Sequence, residues 1–237
     1  MSYLLYCIFR SPAQPSRGMP PGVGGKPVIV LAQNGLSAGF SELAESDATP
    51  DVSQILAYEA VVEHLYRDLT VVPVRYGCQL EDTSDVRGLL ERHHDAYGAL
   101  LDELEGLAEM GIQVLLDQPR AEMENDACPA PPKPFFNSGA AYLAAKRQCY
   151  LGLDRAALRE RLLVEELWNS LTGLYVRRRV EFPDSERGRL LTLYFLVSRA
   201  SVESFRRAAH DLHAKEPVKL LLSGPWPPYN FVDSLKT

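Results

Sequence analysis

The sequence LLLSGPWPPYNFV at residues 220–232 joins an apolar run to a proline-rich aromatic tail. The run from Val218 to Leu222 is short, mostly apolar and ended by Ser-Gly, a pattern typical of a strand buried on both faces. Three prolines follow within four residues. Because proline fixes φ and donates no backbone hydrogen bond, we expect this segment to be extended, near polyproline II, and not to continue a central strand. Its rigid aromatics are predicted either to clamp the tail (residues 223–232) onto its own domain or to dock a partner.

The first half of the chain alternates strand and helix patterns. Asn34-Gly35 is a two-residue hairpin turn between two of the strands. A continuous leucine stripe with spacings of three and four predicts one long helix capped by Ser84. Periodicity predicts strands at 2–10, 27–33, 36–43, 71–77 and 112–116, and helices at 51–68 and 84–107. The order β-β-β-α-β-α-β is typical of a ferredoxin-like α+β sheet with helices on one face.

The second half begins after a stretch rich in acidic residues and proline. A long helical segment follows Ser138, either as one helix or as two broken near Gly152-Leu153-Asp154. The later elements give the order α-β-β-α-β, close to a ferredoxin-like unit without its first strand. The elements are predicted at 139–171, 175–182, 190–198, 201–213 and 218–222. We therefore predict an α+β protein of two α/β domains: a modified ferredoxin-like domain at 1–118, a Pro-rich linker at 119–136, and a helical plus ferredoxin-like domain at 137–237.

Composition limits the function classes. The chain has a net charge of −6, with 24% charged and 46% hydrophobic residues, so it lacks the basic excess that nucleic acids or anionic membrane surfaces require. Its longest apolar runs fall short of the ~20 residues of a membrane helix. The four cysteines form no Cys-x-x-Cys pair, and we interpret them as reduced thiols of a cytosolic protein.

The candidates for chemistry each have a structural interpretation. His93-His94 suggests a metal or acid–base pair, yet adjacent helical residues point about 100° apart and His93 continues the apolar stripe. The carboxylate pairs at 102–103 and 165–166 lie on amphipathic helices, whose solvated faces carry such charges. The basic run at 177–179 alternates across a strand, which favours pairing with acidic neighbours. We predict no catalytic residue, no metal site and no cofactor.

Arg75-Tyr76-Gly77 ends an apolar strand, where a charge must pair or meet a partner. One interpretation pairs Arg75 with a carboxylate of the preceding helix, such as Glu59 or Glu63. The other places a partner contact at this end of the sheet. Both stay open at the level of sequence.

Four stretches resemble, in order, the motifs of the gas vesicle protein F/L family (GvpF/GvpL). The tail motif GPWPPYNFV after a strand is the most specific of them. The others are YLLYCI at 3–8, VVPVRYG at 71–77 and GAAYLAAKR at 139–147. This chain carries Tyr58-Glu59 where family members often carry His-Glu.

The resemblance implies a non-enzymatic gas vesicle assembly factor that binds the small hydrophobic, GvpA-like shell subunit and helps the vesicle nucleate or grow. It further implies a cytoplasmic protein located on the vesicle, with the gas-facing surface included, and other gas vesicle accessory proteins as partners. The expected contact residues are Arg75, Tyr76, Trp226, Tyr229 and Phe231. The alternatives are a small-molecule enzyme or ligand-binding protein on a ferredoxin-like scaffold, and a tail without a partner, locked in place by Trp226 and Tyr229.

Overall fold

The structure is a computed structural model that describes residues 2–11, 18–44, 51–116, 158, 160–182, 190–215 and 219–232. The chain divides into two compact units. The first comprises Met1–Met110, Tyr194–Val202 and Ser223–Thr237, and the second Gly111–Leu193 and Glu203–Leu222. The predicted linker at 119–136 lies outside the described residues, so the division there stays a prediction. The tail, predicted in the second domain, groups with the first unit.

The described elements are nine strands and five helices. The strands are β1 (Ser2–Arg10), β2 (Ile29–Gln33), β3 (Leu36–Leu43), β4 (Val71–Pro73), β5 (Gln79–Leu80), β6 (Leu107–Leu115), β7 (Arg177–Glu181), β8 (Leu190–Ser198) and β9 (Lys219–Trp226). The helices are α1 (Val52–Asp68), α2 (Thr83–Arg92), α3 (His94–Leu104), α4 (residues 160–170) and α5 (Val202–Lys215).

These strands form two antiparallel sheets. The first has the order β2-β3-β1-β4, with β5 also paired to β1, and the second has the order β7-β8-β6-β9. The predicted mixed α+β architecture is confirmed, whereas its ferredoxin-like detail stays a prediction.

The hairpin of β2 and β3 confirms its predicted turn. Asn34 and Gly35 both have positive φ, 49° and 85°, as a type I′ turn requires. Gln33 and Leu36 close the turn, and the register runs without a shift to the pair Ile29 and Phe40. A two-residue turn with this backbone matches the right-handed twist of the strands, so local sequence determines this register.

The helix α1 confirms the predicted start and end. Asp51 Oδ1 accepts a hydrogen bond from the Gln54 backbone N–H at 2.8 Å, and Gln54 Oε1 accepts one from the Asp51 N–H at 3.2 Å. This capping box satisfies two backbone donors that a helix start leaves without intrahelical partners. Tyr58, Val61, Val62 and Leu65 form the buried face of α1, whereas Ile55 and Leu56 are exposed.

The predicted single helix over 84–107 is two helices. Its cap is Asp82 rather than Ser84, since Asp82 Oδ1 accepts from the Ser84 N–H at 2.7 Å and the Asp85 N–H at 3.0 Å. The break comes at His93, whose φ of −113° and ψ of 18° are not helical. Positive φ at Gly106 then turns the chain into β6. That strand begins at Leu107, five residues before the predicted start at 112.

Two other strand predictions are corrected. The strand predicted over 71–77 ends at Pro73, and beyond it the Val74 N–H still donates to the Tyr6 carbonyl at 2.9 Å. β9 lies at a sheet edge, where it is not buried on both faces, and it continues past the predicted end at Leu222 to Trp226. An edge position explains how the strand admits Pro225, because an edge residue needs no donor toward solvent.

Candidate partner-binding site at the tail

The tail docks on the first unit through Phe231. This side chain is 4% exposed and belongs to the core cluster that includes Leu101, Leu104 and Leu196. The tail turns tightly just before it, with the Phe231 N–H bonded to the Pro228 carbonyl at 3.2 Å. The tail is therefore clamped onto its own unit, and Phe231 is the residue that anchors it.

A buried carboxylate holds Asn230, the tail residue before Phe231. Glu109 in β6 is 4% exposed; its Oε2 accepts the Asn230 backbone N–H at 2.8 Å, and its Oε1 accepts from Asn230 Nδ2 at 2.6 Å. A buried carboxylate needs such donors, because its desolvation is costly otherwise. Sequence analysis missed Glu109. The available signal was a single acidic residue between the apolar Ala108 and Met110 of a strand.

Two further contacts join the tail to the first unit. Arg75 Nη2 donates to Asn230 Oδ1 at 3.2 Å, so the expected pairing of Arg75 with Glu59 or Glu63 is replaced by a contact with the tail. Tyr229 Oη donates to Glu59 Oε2 at 3.4 Å. Burial raises the pKa of the Glu59 carboxyl, while the hydrogen bond from Tyr229 opposes that rise. Burial also raises the pKa of the Tyr229 phenol, and the charge of Glu59 adds to the effect.

The two remaining predicted residues take different positions. The Tyr76 ring packs edge-on against Tyr58, with centroids 5.1 Å apart. Trp226 is 47% exposed, so it is not the main lock of the tail that its flanking prolines suggested. Arg75 thus contacts the docked tail, and the tail residues Tyr229 and Phe231 pack against the first unit. The Trp226 side chain, in contrast, is exposed.

Asn230→Ala is expected to destabilise the protein by about 1.5–3 kcal/mol, the usual range for a hydrogen bond to a charged group. The substitution removes the Nδ2 donor to Glu109 but keeps the backbone donor. Urea denaturation with an unchanged m-value measures the loss. Asn230→Asp, which places a second carboxylate against Glu109, should cost more; an equal or smaller cost would contradict this role for the amide.

His93-His94 has structural roles rather than metal-binding geometry. His94 Nδ1 lies 3.0 Å from Asp95 Oδ1, and its Nε2 lies 2.9 Å from the Asn34 carbonyl. The His93 ring packs against Tyr97. Within the described part of the chain, no three His, Cys, Asp or Glu side chains are grouped so as to hold a metal ion.

The pKa of His94 is expected to lie above its ordinary value of about 6.5. The hydrogen bond to Asp95 is the largest cause, followed by the Asn34 carbonyl. Because the folded pKa is raised, the stabilisation is fully present below the unfolded pKa and is lost as pH rises through the folded one. An NMR titration of the imidazole should show a lower midpoint in Asp95→Asn. Equal midpoints in the two proteins would refute the assignment.

Two further charged candidates, Asp102 and Arg178, make contacts within their own units. Arg10 pairs with Asp102 at 2.5 Å on the surface of the first unit. In the second unit, the Arg178 guanidinium stacks on the Trp168 ring at 3.8 Å and donates to Tyr175 Oη at 3.1 Å. Aromatic partners thus take the place of the acidic neighbours predicted for this arginine.

An exposed aliphatic face on α1 was not foreseen. Val52 is 74% exposed, Leu56 is 64% exposed and Ile55 is also exposed. Their spacing of three and four residues places them together on one side of the first two turns. Contiguous exposed apolar side chains of this kind mark interaction surfaces.

Among the described helices, none combines the length and apolar character needed to cross a membrane.

Comparison with known proteins gives one family. A family model described as gas vesicle synthesis protein GvpL/GvpF matches residues 2–233. Gas vesicle protein L of Streptomyces sp. (strain CB03234) is 28% identical over 231 residues, covering 89% of this chain and 85% of that protein. Gas vesicle protein F of the same strain is 26% identical over 254 residues, covering 98% of this chain and all (100%) of that protein.

Two crystal structures share the fold. Gas vesicle protein GvpF from Anabaena sp. PCC7120 superposes with a TM-score of 0.77 at 18% identity, over 98% of this chain and 96% of that one. GvpF from Microcystis aeruginosa gives a TM-score of 0.74 at 16% identity, over 97% and 98% of the two chains.

Proposed function

Because the chain belongs to the GvpL/GvpF family of gas vesicle proteins, we propose that it is a non-catalytic accessory protein that binds the hydrophobic, GvpA-like shell subunit and assists nucleation or growth of the vesicle. It acts in the cytoplasm and on the vesicle, including the gas-facing surface, alongside other accessory proteins. The description of the family as synthesis proteins supports an assembly role. The observation that carries the proposal is the exposed aliphatic face of α1.

A shell subunit with a large apolar face aggregates in water unless another surface covers that face. Covering it gains roughly 25 cal/mol for each Å² of apolar surface removed from water. Val52, Ile55 and Leu56 supply such a surface on a regular helix, and Trp226 supplies a second apolar contact on the tail. A helix presenting residues at this spacing suits contact with another helix or strand.

The expected contact residues divide by exposure. Arg75 and Trp226 have exposed side chains and can touch a partner directly. Tyr76, Tyr229 and Phe231 act through the fixed position of the tail, because their rings pack within the first unit. Arg75 and Trp226 therefore contact the partner directly, whereas the other three residues position the tail.

The test is co-expression of this chain with the shell subunit, followed by co-purification and a sedimentation assay of the shell subunit. The wild-type chain should co-purify with the shell subunit and keep it in the supernatant. Leu56→Asp should lose at least part of this effect, since a charge would be desolvated in the contact. Leu56→Met, which keeps the apolar surface, is the matched control. A folded wild-type chain that never binds the shell subunit would contradict the proposal.

A further inference from the structure

Among the described strands, the two sheets have four outer edges, and natural proteins protect such edges because they present unpaired N–H and C=O groups. On the first sheet, one edge is formed by β4, which is three residues long and ends in Pro73, and by β5, which is two residues long. On the second sheet, β7 carries the arginine run 177–179, and β9 contains Gly224-Pro225. Short length, proline and charge are all recognised protections against strand addition.

The remaining edge, β2, has none of these protections. Its sequence, Ile-Val-Leu-Ala-Gln, contains no proline and no charged residue, and its pairing with β3 has no bulge. In the part of the chain that the structure describes, no other strand pairs with its outer side. Among the described strands, β2 is therefore the edge that an extended chain can join.

The hairpin register defines which groups point outward. In a two-residue type I′ hairpin the residues that flank the turn, Gln33 and Leu36, form a hydrogen-bonded pair, and such pairs alternate along the ladder. Leu31 and Ile29 therefore direct their N–H and C=O groups toward β3. Val30 and Ala32 direct theirs to the open side. An incoming strand meets two donor–acceptor pairs, about 7 Å apart along β2.

The side chains along this edge are apolar on both faces of the sheet. Leu31 packs against the core cluster, and Ile29 lies opposite Phe40 on the same face. Val30 and Ala32 lie on the other face because side chains alternate. At the turn end, Gln33 Nε2 is bonded to Glu91 at 2.6 Å. An added strand therefore meets uncharged aliphatic neighbours on either face, which favours an apolar segment over an acidic or basic one.

We propose that the open edge of β2 accepts an extended apolar segment of the shell subunit as an additional strand of the first sheet. This inference rests on the proposed function and specifies its mode of contact. Main-chain hydrogen bonds from Val30 and Ala32 supply the recognition, and the aliphatic rows on both faces select a hydrophobic strand. A second copy of this chain is the competing occupant.

The test substitution is Ala32→Pro. Proline removes the outward N–H and its ring obstructs a neighbouring strand, while the inward hydrogen bonds of Leu31 and Gln33 to β3 remain. Ala32→Val, which keeps the N–H and has high strand propensity, is the matched control. Affinity for the shell subunit in the co-purified complex should fall about tenfold or more in Ala32→Pro and stay near wild type in Ala32→Val.

Residue-resolved hydrogen exchange provides a second measurement that needs no substitution. In the free protein the Val30 and Ala32 amides should exchange quickly and the Leu31 amide slowly. In the complex with the shell subunit, the first two should become protected. If circular dichroism and the melting curve show that Ala32→Pro does not fold, protection of these two amides in the wild-type complex tests the strand addition instead.

The outcomes separate the two proposals. If wild type binds the shell subunit but Ala32→Pro binds equally well, or the two amides stay unprotected, the strand-addition inference is overturned and the proposed function stands. If wild type does not bind the shell subunit, the proposed function itself fails. If light scattering shows a wild-type dimer that Ala32→Pro converts to monomer, the edge belongs to a second copy, and the inference is overturned.

Discussion

Phe231→Ala is expected to lower the free energy of unfolding by about 3–5 kcal/mol, the usual cost of removing a buried phenylalanine ring from a packed core. The ring is almost fully buried among residues from three separate parts of the chain, including Leu5, Leu101 and Leu196. Its loss leaves a cavity that the surrounding strands and helices can fill only partly. The tail hydrogen bonds of Asn230 then lose the anchor beside them.

Trp226→Ala is the matched control in the same tail. Its side chain is about half exposed, so the substitution should cost about 1 kcal/mol or less. Equilibrium denaturation of both variants in urea measures the difference. If Trp226→Ala were the more damaging of the two, Trp226 and not Phe231 would be the anchor. In the co-purification assay, Trp226→Ala should weaken shell-subunit binding while stability stays near wild type.

Gly224→Ala is expected to be comparably damaging for a different reason. Gly224 has φ of +100°, a conformation that side chains rarely adopt, and an added Cβ would lie 2.5 Å from the Glu109 carbonyl oxygen. The backbone strain costs about 1–3 kcal/mol and the overpacking about 1–3 kcal/mol more. A backbone oxygen in a paired strand cannot rotate away, so β9 would have to move from β6.

Gly77→Ala measures the loss of stability that comes from backbone strain alone. Gly77 has nearly the same φ, +99°, but nothing lies within 4 Å of the position that an added Cβ would take. It should therefore show only the strain, about 1–3 kcal/mol. Thermal unfolding of the two variants against wild type separates strain from collision. Equal losses in both would show that the close approach of β9 to Glu109 is unimportant.

The sequence predicts most closely those elements whose determinants are local. The turn Asn34-Gly35 and the cap at Asp51 each act within a few residues, so the β2–β3 hairpin and α1 have the expected positions. The break at His93 was missed because the apolar stripe continues across it and residues 89–97 contain no glycine or proline. The same stripe extends the predicted helix to Leu107, whereas positive φ at Gly106 already turns the chain into β6.

The candidate site was predicted only in part. Arg75, Tyr229 and Phe231 were chosen from their motifs, and the structure brings them to one docked tail. Their partner Glu109 was not foreseen, because it lies 121 positions from Asn230 and no periodic pattern links the two. Similarly, the flanking prolines favoured Trp226 as the lock of the tail, whereas the buried tail aromatic is Phe231. Which tail aromatic is buried depends on how β9 pairs at the sheet edge, and pairing across such distances is not encoded in local periodicity.

The first unit is built from three separate stretches of the chain, so the ribosome completes it only late in synthesis. Its first 110 residues emerge early, but Phe231 and Asn230 are made only after the intervening second unit. At about 5–20 residues per second, roughly 120 residues of further translation take on the order of 6–24 seconds. During that interval the N-terminal segment lacks the Phe231 ring of its core and the two hydrogen bonds from Asn230 to Glu109. Synthesis of Asn230 and Phe231, and not the emergence of the first 110 residues, therefore marks the point at which the first unit can complete its core.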